Sequence, residues 1–310
     1  MYEEVRETIM KKWMLLLLAL MILCAACPAL ADEFRPLPID LSGGAPVKTR
    51  YSPQLLVYED PTIRVERVRE ESKEWGFTYY LATITIKDAS QLRTASADNT
   101  FTSSAKVPAT TMAKRNNAVL AVDGDFCASF SGNKANNYIL RQGTVFRDTV
   151  EPGLDMLLID EDGDFHVLTR DDDIEHADKT MINGKKVINA FQFGPAVVLN
   201  GEPVADESIL DVDHSPTYSE PDRRNQRMAI GQIDSLHYMV LSCAHWGTDL
   251  ATFRDLALSL TNVKTLYMLD GGESAQMVFL GQKINNVVDG EQNVRPITDI
   301  IYFASAWFTD

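Results

Sequence analysis

Apolar and polar residues alternate along much of this chain in a pattern typical of β-strands. Residues 79–86 are almost all β-branched, aromatic or small, and residues 118–122 form a shorter continuous apolar run. Such segments predict half-buried and fully buried strands. Helical spacing is rarer and is clearest in residues 249–260, with a shorter helix predicted within 107–117. The pattern therefore predicts an α+β fold that is rich in strands, with a largely antiparallel or mixed twisted sheet and a few flanking helices.

Turn residues between the apolar runs predict several hairpins. Gln142-Gly143 and Asp162-Gly163 each separate two short strand-like segments. Residues 228–233 and 236–243 form another such pair, while the polar, proline-containing residues 206–225 predict a long loop. Strands joined by short turns pair antiparallel, which supports the predicted sheet.

The N-terminus has the features of an export signal. Lys11-Lys12 precede an apolar segment at residues 13–23, and small residues lead to Ala31. This order predicts a signal peptide over residues 1–31 that is too short for a stable membrane span. A lipoprotein signal with Cys27 as the acylated residue is the alternative. Either signal predicts a secreted or cell-surface protein.

The remaining chain divides into two predicted segments. Residues 32–75 contain several prolines and glycines followed by alternating apolar and charged positions, which predicts a loose leader and then strands. Residues 76–310 show no further boundary and no internal repeat, so they are predicted to form one main domain.

Charge and cysteine content narrow the choice of partners. The chain carries 44 acidic and 29 basic residues, for a formal net charge of −15. A surface this acidic argues against binding to nucleic acid or to anionic membranes.

Cys127 and Cys243 follow the signal segment, and an exported protein permits a disulfide between them. Two separate buried thiols are equally compatible with their apolar surroundings.

The densest candidate chemistry lies between two apolar runs, at residues 263–269 and 277–280. Acids, glycines and a hydroxyl occupy the break, and glycines let the backbone approach a bound group closely. A rigid sheet would present such a loop at a strand end, whereas the alternative is a tight hairpin with solvated acids. The residues concerned are Asp270, Gly271, Gly272, Glu273 and Ser274.

Two further strand ends carry candidate residues. Asp123 and Asp125 flank Gly124 directly after a buried run, where they serve either turn formation or the binding of Ca²⁺ or Mg²⁺ by carboxylate oxygens. His245 follows another apolar run and is a candidate for acid–base chemistry. The glycine-containing loops do not match a phosphate-binding or dinucleotide-binding fingerprint, and no Ser-His-Asp arrangement is evident.

Several segments, taken in order along the chain, resemble the phosphodiester glycosidase family. This family includes the enzyme that uncovers mannose 6-phosphate on lysosomal proteins, and the likeness is closer to its secreted bacterial members. The resemblance covers about residues 78–303. It rests on Ala121–Phe126, Tyr138–Gly143, Phe193–Ala196, Arg227–Gly231 and Leu269–Gly272, with further likeness in Gln91–Thr94, Lys114–Asn117 and Asp299–Phe303.

The resemblance implies hydrolysis of a sugar-1-phosphodiester at the anomeric carbon, with no required cofactor and a glycan or sugar phosphate as substrate. It implies that Arg141 and Arg227 bind phosphate, because guanidinium forks fix a tetrahedral anion. Asp270 would stabilise the oxocarbenium-like transition state. The N–H groups of Gly271-Gly272 would help to hold an anion, and Ser274 would donate a hydrogen bond to phosphate or sugar.

Departures from the family pattern suggest a changed specificity. Many relatives read Asn at Asp123, Asp-Gly-Arg at residues 243–245 and Gly-Gly-Gly-Ser-Ser-Thr at residues 271–276. Glu273 adds a negative charge beside the implied anion site, where it would oppose phosphate unless it points away or acts on the sugar. A catalytically weak or inactive glycan-binding protein on the same fold is therefore the alternative function.

The sequence also predicts where the implied site residues meet. Asp123, Asp270, Arg141 and Arg227 each adjoin an apolar run and a glycine. We therefore expect all four at strand ends on one side of a single, largely antiparallel sheet.

Overall fold

The computed structural model describes six ranges of the 310-residue chain: 34–47, 56–124, 137–210, 224–244, 247–286 and 294–308. Residues Arg35–Trp307 form one compact unit. The predicted signal peptide and Cys27 lie outside the described residues, so both stay predictions, as does the division at residue 75. Within the described ranges, no helix combines the length and apolar character needed to cross a membrane.

Strands dominate the described residues, and the helices are short. The three α-helices are α1 (Ala109–Arg115), α2 (Asp206–Leu210) and α3 (Leu250–Leu260). Two 3₁₀ turns occupy Ala89–Gln91 and Gly272–Ser274. The strands are β1 (Val57–Asp60), β2 (Ile63–Ser72), β3 (Phe77–Ile86), β4 (Leu92–Ser96), β5 (Ala118–Asp123), β6 (Ile139–Arg141), β7 (Thr144–Arg147), β8 (Met156–Asp160), β9 (Phe165–Leu168), β10 (Met181–Ile182), β11 (Lys185–Gln192), β12 (Ala196–Leu199), β13 (Glu202–Pro203), β14 (Met228–Asp234), β15 (His237–Cys243), β16 (Thr265–Met268), β17 (Met277–Phe279), β18 (Gln282–Lys283) and β19 (Asp299–Ala304).

The strands form three antiparallel sheets. The first sheet has eight strands in the order β1-β2-β3-β15-β14-β16-β12-β13, and the third has five in the order β18-β17-β5-β19-β4. The second has the order β7-β6-β11-β8-β9, with β10 paired to β11. The strand-rich α+β prediction is confirmed. The expectation of one sheet is wrong, because apolar faces from three sheets meet around a shared core.

The predicted hairpins form where turn residues accept the required backbone conformations. Gln142 and Gly143 both have positive φ (45° and 77°), which suits the tight turn between β6 and β7. β14 and β15 also pair as predicted. The predicted loop at 206–225 begins instead with α2, while residues 211–223 lie outside the described residues.

Burial explains why the apolar runs become these strands. All six residues of β5 are buried, whereas β2 alternates buried and exposed positions at its start. The central core joins side chains from all three sheets, including Tyr80, Val122 and Phe191. A second apolar cluster lies between the first sheet and α3, and α1 packs against β5 and β19.

The predicted loose leader is ordered over residues 34–47, and the sequence expectation is wrong there. The buried guanidinium of Arg93 donates through one nitrogen to the carbonyls of Pro38, Asp40 and Ser42, at 2.9–3.0 Å. The amide of Ala45 donates to Ser305. These bonds fix the segment together with those from the Leu37 amide to Ser90 Oγ and from the Gly44 amide to the Asn116 carbonyl.

Candidate functional site

Residues 270–274, the Asp270 loop, connect two sheets. The preceding strand β16 belongs to the first sheet and the following strand β17 to the third, so the tight-hairpin alternative is wrong. Gly272 has φ +58°, and a Cβ on Gly271 would lie 2.7 Å from the Gln226 carbonyl oxygen. Both glycines are therefore required by backbone geometry. The Gly272 amide donates to that same carbonyl at 2.9 Å, so in this structure it serves the loop rather than an anion.

Arg227 and Asp270 lie just beyond the end of the ladder between β14 and β16. Ala229 pairs with Met268, and continuing this register places Arg227 opposite Asp270. Residues opposite each other in an antiparallel pair project to the same face. Both side chains are half-buried, and Arg227 Nε donates to the Thr248 carbonyl at 3.1 Å. This bond fixes the Arg227 guanidinium against the Thr248 carbonyl.

Asp123 is a buried acid at the end of β5. One carboxylate oxygen, Oδ1, accepts from the Gln276 amide at 2.9 Å, while Oδ2 is buried with no hydrogen-bond partner among the described residues. Burial raises the pKa of Asp123 well above its usual range, and the negative charges of Asp270 and Asp299 raise it further, against the lowering effect of the Gln276 bond. Burial and the neighbouring carboxylates therefore favour the neutral form of Asp123.

Arg141 is an internal cation. It has no exposed surface, and NH2 donates to Asp299 Oδ2 at 3.2 Å while NH1 donates to the Ala190 carbonyl. Its guanidinium also stacks 4.0 Å from the Phe191 ring centre. The charge of Arg141 compensates buried Asp299, and the contact with phosphate that the resemblance implies stays a prediction.

The other residues of the Asp270 loop have internal partners too. Both Nε and NH2 of Arg295 donate to Glu273 Oε2, at 3.0 and 2.7 Å. Glu273 is therefore neutralised by a guanidinium instead of standing as an isolated charge. Ser274 is 1 % exposed, and its amide donates to the Gly271 carbonyl at 3.2 Å.

Three predicted positions cannot be placed. Asp125, His245 and Cys127 lie outside the described residues, so their roles stay predictions. Cys243 is a free, buried thiol, and burial raises its pKa to about 11, which makes a reactive thiolate unfavourable. Among the residues that the structure describes, no group of three or more acids, histidines or cysteines is arranged to hold a metal ion. The Asp123–Asp125 cation site stays a hypothesis.

Sequence reasoning missed two residues. Asp299 begins β19 and contacts Arg141. An acid at the start of an apolar strand is only a weak sequence signal for a site residue. A side chain at position 124 would collide with the Asp299 carboxylate, which accounts for Gly124. Arg295 gave no sequence signal, because its partner Glu273 is 22 residues away.

We name the set Asp123, Asp270, Asp299, Arg141 and Arg227 the strand-end site. Strands from all three sheets contribute to it. Its main chemical property is a pair of carboxyl groups whose environments differ, since Asp123 is fully buried with a raised pKa and Asp270 is half-buried. Such pairs divide acid and base roles between two similar side chains.

Comparisons with known proteins identify several chains with a similar fold. The catalytic domain of zebrafish N-acetylglucosamine-1-phosphodiester alpha-N-acetylglucosaminidase, auto-inhibited by its pro-peptide, is similar with a TM-score of 0.58 at 14% identity; the match covers 84% of this chain and 86% of that one. A hypothetical protein from Synechocystis is similar with a TM-score of 0.50 at 14% identity, covering 78% of this chain and 62% of the other.

A putative exported protein from Burkholderia pseudomallei K96243 also matches with a TM-score of 0.50, at 12% identity over 74% of each chain. At these identities the structural matches show a shared fold. No curated protein sequence matches this chain. The sequence model of the phosphodiester glycosidase family matches residues 116–304, more than half of the chain. The chain therefore belongs to the phosphodiester glycosidase family.

Proposed function

We propose that this chain is an exported hydrolase that cleaves a sugar-1-phosphodiester in cell-envelope or extracellular glycans. The observation that carries the proposal is the placement of buried Asp123, whose Oδ2 has no hydrogen-bond partner among the described residues, at the strand-end site with Asp270. Family membership supports a hydrolase of this type. Export is supported by the signal-like residues 1–31 and by similarity to a putative exported protein.

The two carboxyl groups suit the two ends of the scissile bond. Asp270 would stabilise positive charge at the anomeric carbon and accept a proton from the attacking water. Asp123 would give its proton to the phosphate oxygen as the bond between that oxygen and the anomeric carbon breaks. One water is consumed, and the products are a free sugar and a phosphomonoester.

Arg227 is the proposed phosphate ligand within the strand-end site. Its ladder position opposite Asp270 would bring the phosphoryl group beside the acid and the base. Its bond to the Thr248 carbonyl limits the freedom of the side chain, so less conformational entropy is lost when the anion binds.

Turnover of defined substrates tests the proposal. The chain is incubated with a panel of sugar-1-phosphodiesters, and the released reducing sugar and phosphomonoester are quantified. Asp270→Asn should lower kcat by about 10²–10³, because a preorganised charge at the transition state is lost. Asp234→Asn is the matched control, since Asp234 is exposed, pairs with Lys264 and lies in the β14–β15 hairpin.

Two results would reject the proposal. Turnover by Asp270→Asn within a few-fold of wild type would remove Asp270 from the reaction. Binding of the same glycans without release of sugar would support the alternative, a glycan-binding protein on this fold.

A further inference from the structure

A phosphodiester anion at the strand-end site needs more positive charge than Arg227 alone provides, and the second arginine of the site is Arg141. That guanidinium is buried and compensates Asp299. The surrounding protein is strongly acidic, with a formal net charge of −15. A cation that is accessible beside the Asp270 loop is therefore of interest, and Arg295 meets this description.

Glu273 fixes the Arg295 side chain from one side. The two bonds to Oε2 are short, and the side chains of Arg295 and Glu273 are 36 % and 38 % exposed, respectively. Ion pairs at this exposure contribute little to folding stability because solvent screens them. The two hydrogen bonds to Glu273 Oε2 nevertheless define the geometry of the pair, which points to a role for Glu273 in orienting the Arg295 guanidinium.

Gln276 fixes the Arg295 backbone from the other side. Its Nε2 donates to the Arg295 carbonyl at 2.8 Å, and its backbone amide donates to Asp123 Oδ1 at 2.9 Å. Gln276 is fully buried, and its Oε1 accepts from the Ala109 amide at 3.3 Å. One buried residue therefore contacts both Asp123 and the Arg295 backbone, which fixes the position of residue 295 relative to Asp123.

We propose that Glu273 is a positioning residue that holds the Arg295 guanidinium beside the Asp270 loop, where Arg295 binds the phosphoryl group of the substrate. The identity of the substrate rests on the proposed function. A guanidinium has five N–H donors, so it can bind more than one acceptor at a time. Glu273, an acid that would by itself repel an anion, thus orients the Arg295 guanidinium that binds the phosphoryl group.

Binding of inorganic phosphate tests this inference without any turnover. Titration calorimetry on wild type should show binding that Arg295→Lys weakens about 10-fold to 100-fold, because an ammonium cannot reproduce the planar fork. Glu273→Gln should weaken it by a smaller factor while Arg295 loses its fixed orientation. The matched control is Arg64→Lys, which alters an exposed arginine paired with Glu59 and Glu66 on β2.

A charge exchange separates positioning from simple loop closure. The double variant Glu273→Arg/Arg295→Glu can restore the ion pair but moves the guanidinium to the other partner. We expect its melting temperature to return to the wild-type value while phosphate binding, and the KM for any accepted phosphodiester, remain impaired. Recovery of phosphate binding in the double variant would overturn the inference, as would unchanged binding in Arg295→Lys.

The outcome is distinguishable from failure of the proposed function. If wild type binds phosphate and Arg295→Lys does not, the inference stands even where no sugar-1-phosphodiester is cleaved. If wild type binds no phosphate, the inference fails, whatever the turnover results.

Discussion

Asp123 and Asp160 are equally buried, each 1 % exposed, yet their surroundings are opposite. Asp160 Oδ1 accepts from the amides of Asp162 and Asp164 at 2.9 and 3.0 Å, and Oδ2 lies 2.9 Å from His166 Nε2. Asp123 has one such bond and faces two further carboxylates.

The difference appears in the direction of each pKa shift. Burial tends to raise the pKa of Asp160, but hydrogen bonds from His166 and the turn amides, together with Lys185, outweigh it and leave the pKa lowered. Burial also raises the pKa of Asp123, and neighbouring negative charges add to the rise. Partners therefore decide the charge of a buried carboxyl group. Asp160 stabilises the turn between β8 and β9, whereas Asp123 holds a proton at some cost to stability.

Asp123→Asn should give the largest effect and should separate activity from stability. Loss of the proton donor should lower kcat by about 10²–10⁴. At pH 7 the same change should raise the melting temperature by a few degrees, since the neutral amide keeps the shape and requires neither a buried carboxylate charge nor the uptake of a proton on folding. Kinetics on accepted substrates and thermal unfolding check both expectations.

The gain in melting temperature of Asp123→Asn should depend on pH because the pKa of Asp123 is raised in the folded protein. The folded protein keeps the Asp123 proton at pH values where the unfolded chain has released it. Asp123 therefore does not destabilise the folded protein below its pKa in the unfolded chain, which is about 3.9. Above that pH the destabilisation grows until the pH reaches the pKa of Asp123 in the folded protein. The advantage of Asp123→Asn should therefore vanish below about pH 4. A gain that is equal at pH 3.5 and pH 7 would contradict the assignment.

Asp160→Asn should show the opposite behaviour. An amide cannot accept all the bonds that the carboxylate accepts, so we expect a loss of about 2 kcal/mol in unfolding free energy at pH 7. Activity per folded molecule should stay unchanged. Because the folded pKa is lowered, the stabilisation exists above the unfolded pKa and is lost as pH falls through the folded value.

Urea unfolding of Asp160→Asn at two pH values checks this expectation. The deficit relative to wild type should shrink in acid. A deficit that grows in acid, or a selective loss of kcat, would erase the contrast between the two carboxyl groups.

His166→Leu should give the smallest effect. It removes one partner of Asp160 and leaves the two turn amides in place, with Lys185 Nζ 3.5 Å from Oδ2. We expect a loss of about 1 kcal/mol in unfolding free energy, measured by urea titration at pH 7. A larger loss than that of Asp160→Asn would show that His166 has a separate structural role.

Local pattern was sufficient for most individual elements. The apolar run at residues 118–122 became the buried strand β5, and the helical spacing of residues 249–260 became α3, which Asp249 caps by accepting from the Thr252 amide. Turn residues placed the β6–β7 and β14–β15 hairpins because their conformational preferences act over only a few residues. The leader at residues 34–47 was missed, since its order depends on distant Arg93.

Long-range electrostatics could not be predicted in the same way. Arg141 and Asp299 are 158 residues apart in sequence, and their pairing depends on how the second and third sheets meet. The pairing of Arg141 with a buried acid could therefore not be predicted from local pattern. Glu273 was interpreted as a repulsive charge because its partner Arg295 is distant in sequence, after β17 and β18 and shortly before β19.

The sequence by itself determined the strand-rich composition, the family and the strand ends at which Asp123, Arg227 and Asp270 stand. These follow from residue size, polarity and turn preference, which act locally along the chain. Only the tertiary structure decided the direction in which the pKa of each buried carboxyl group shifts, which arginine is accessible and which acid has an arginine partner. Those properties depend on burial and on charges that approach from separate sheets, and neither is defined until the sheets pack together.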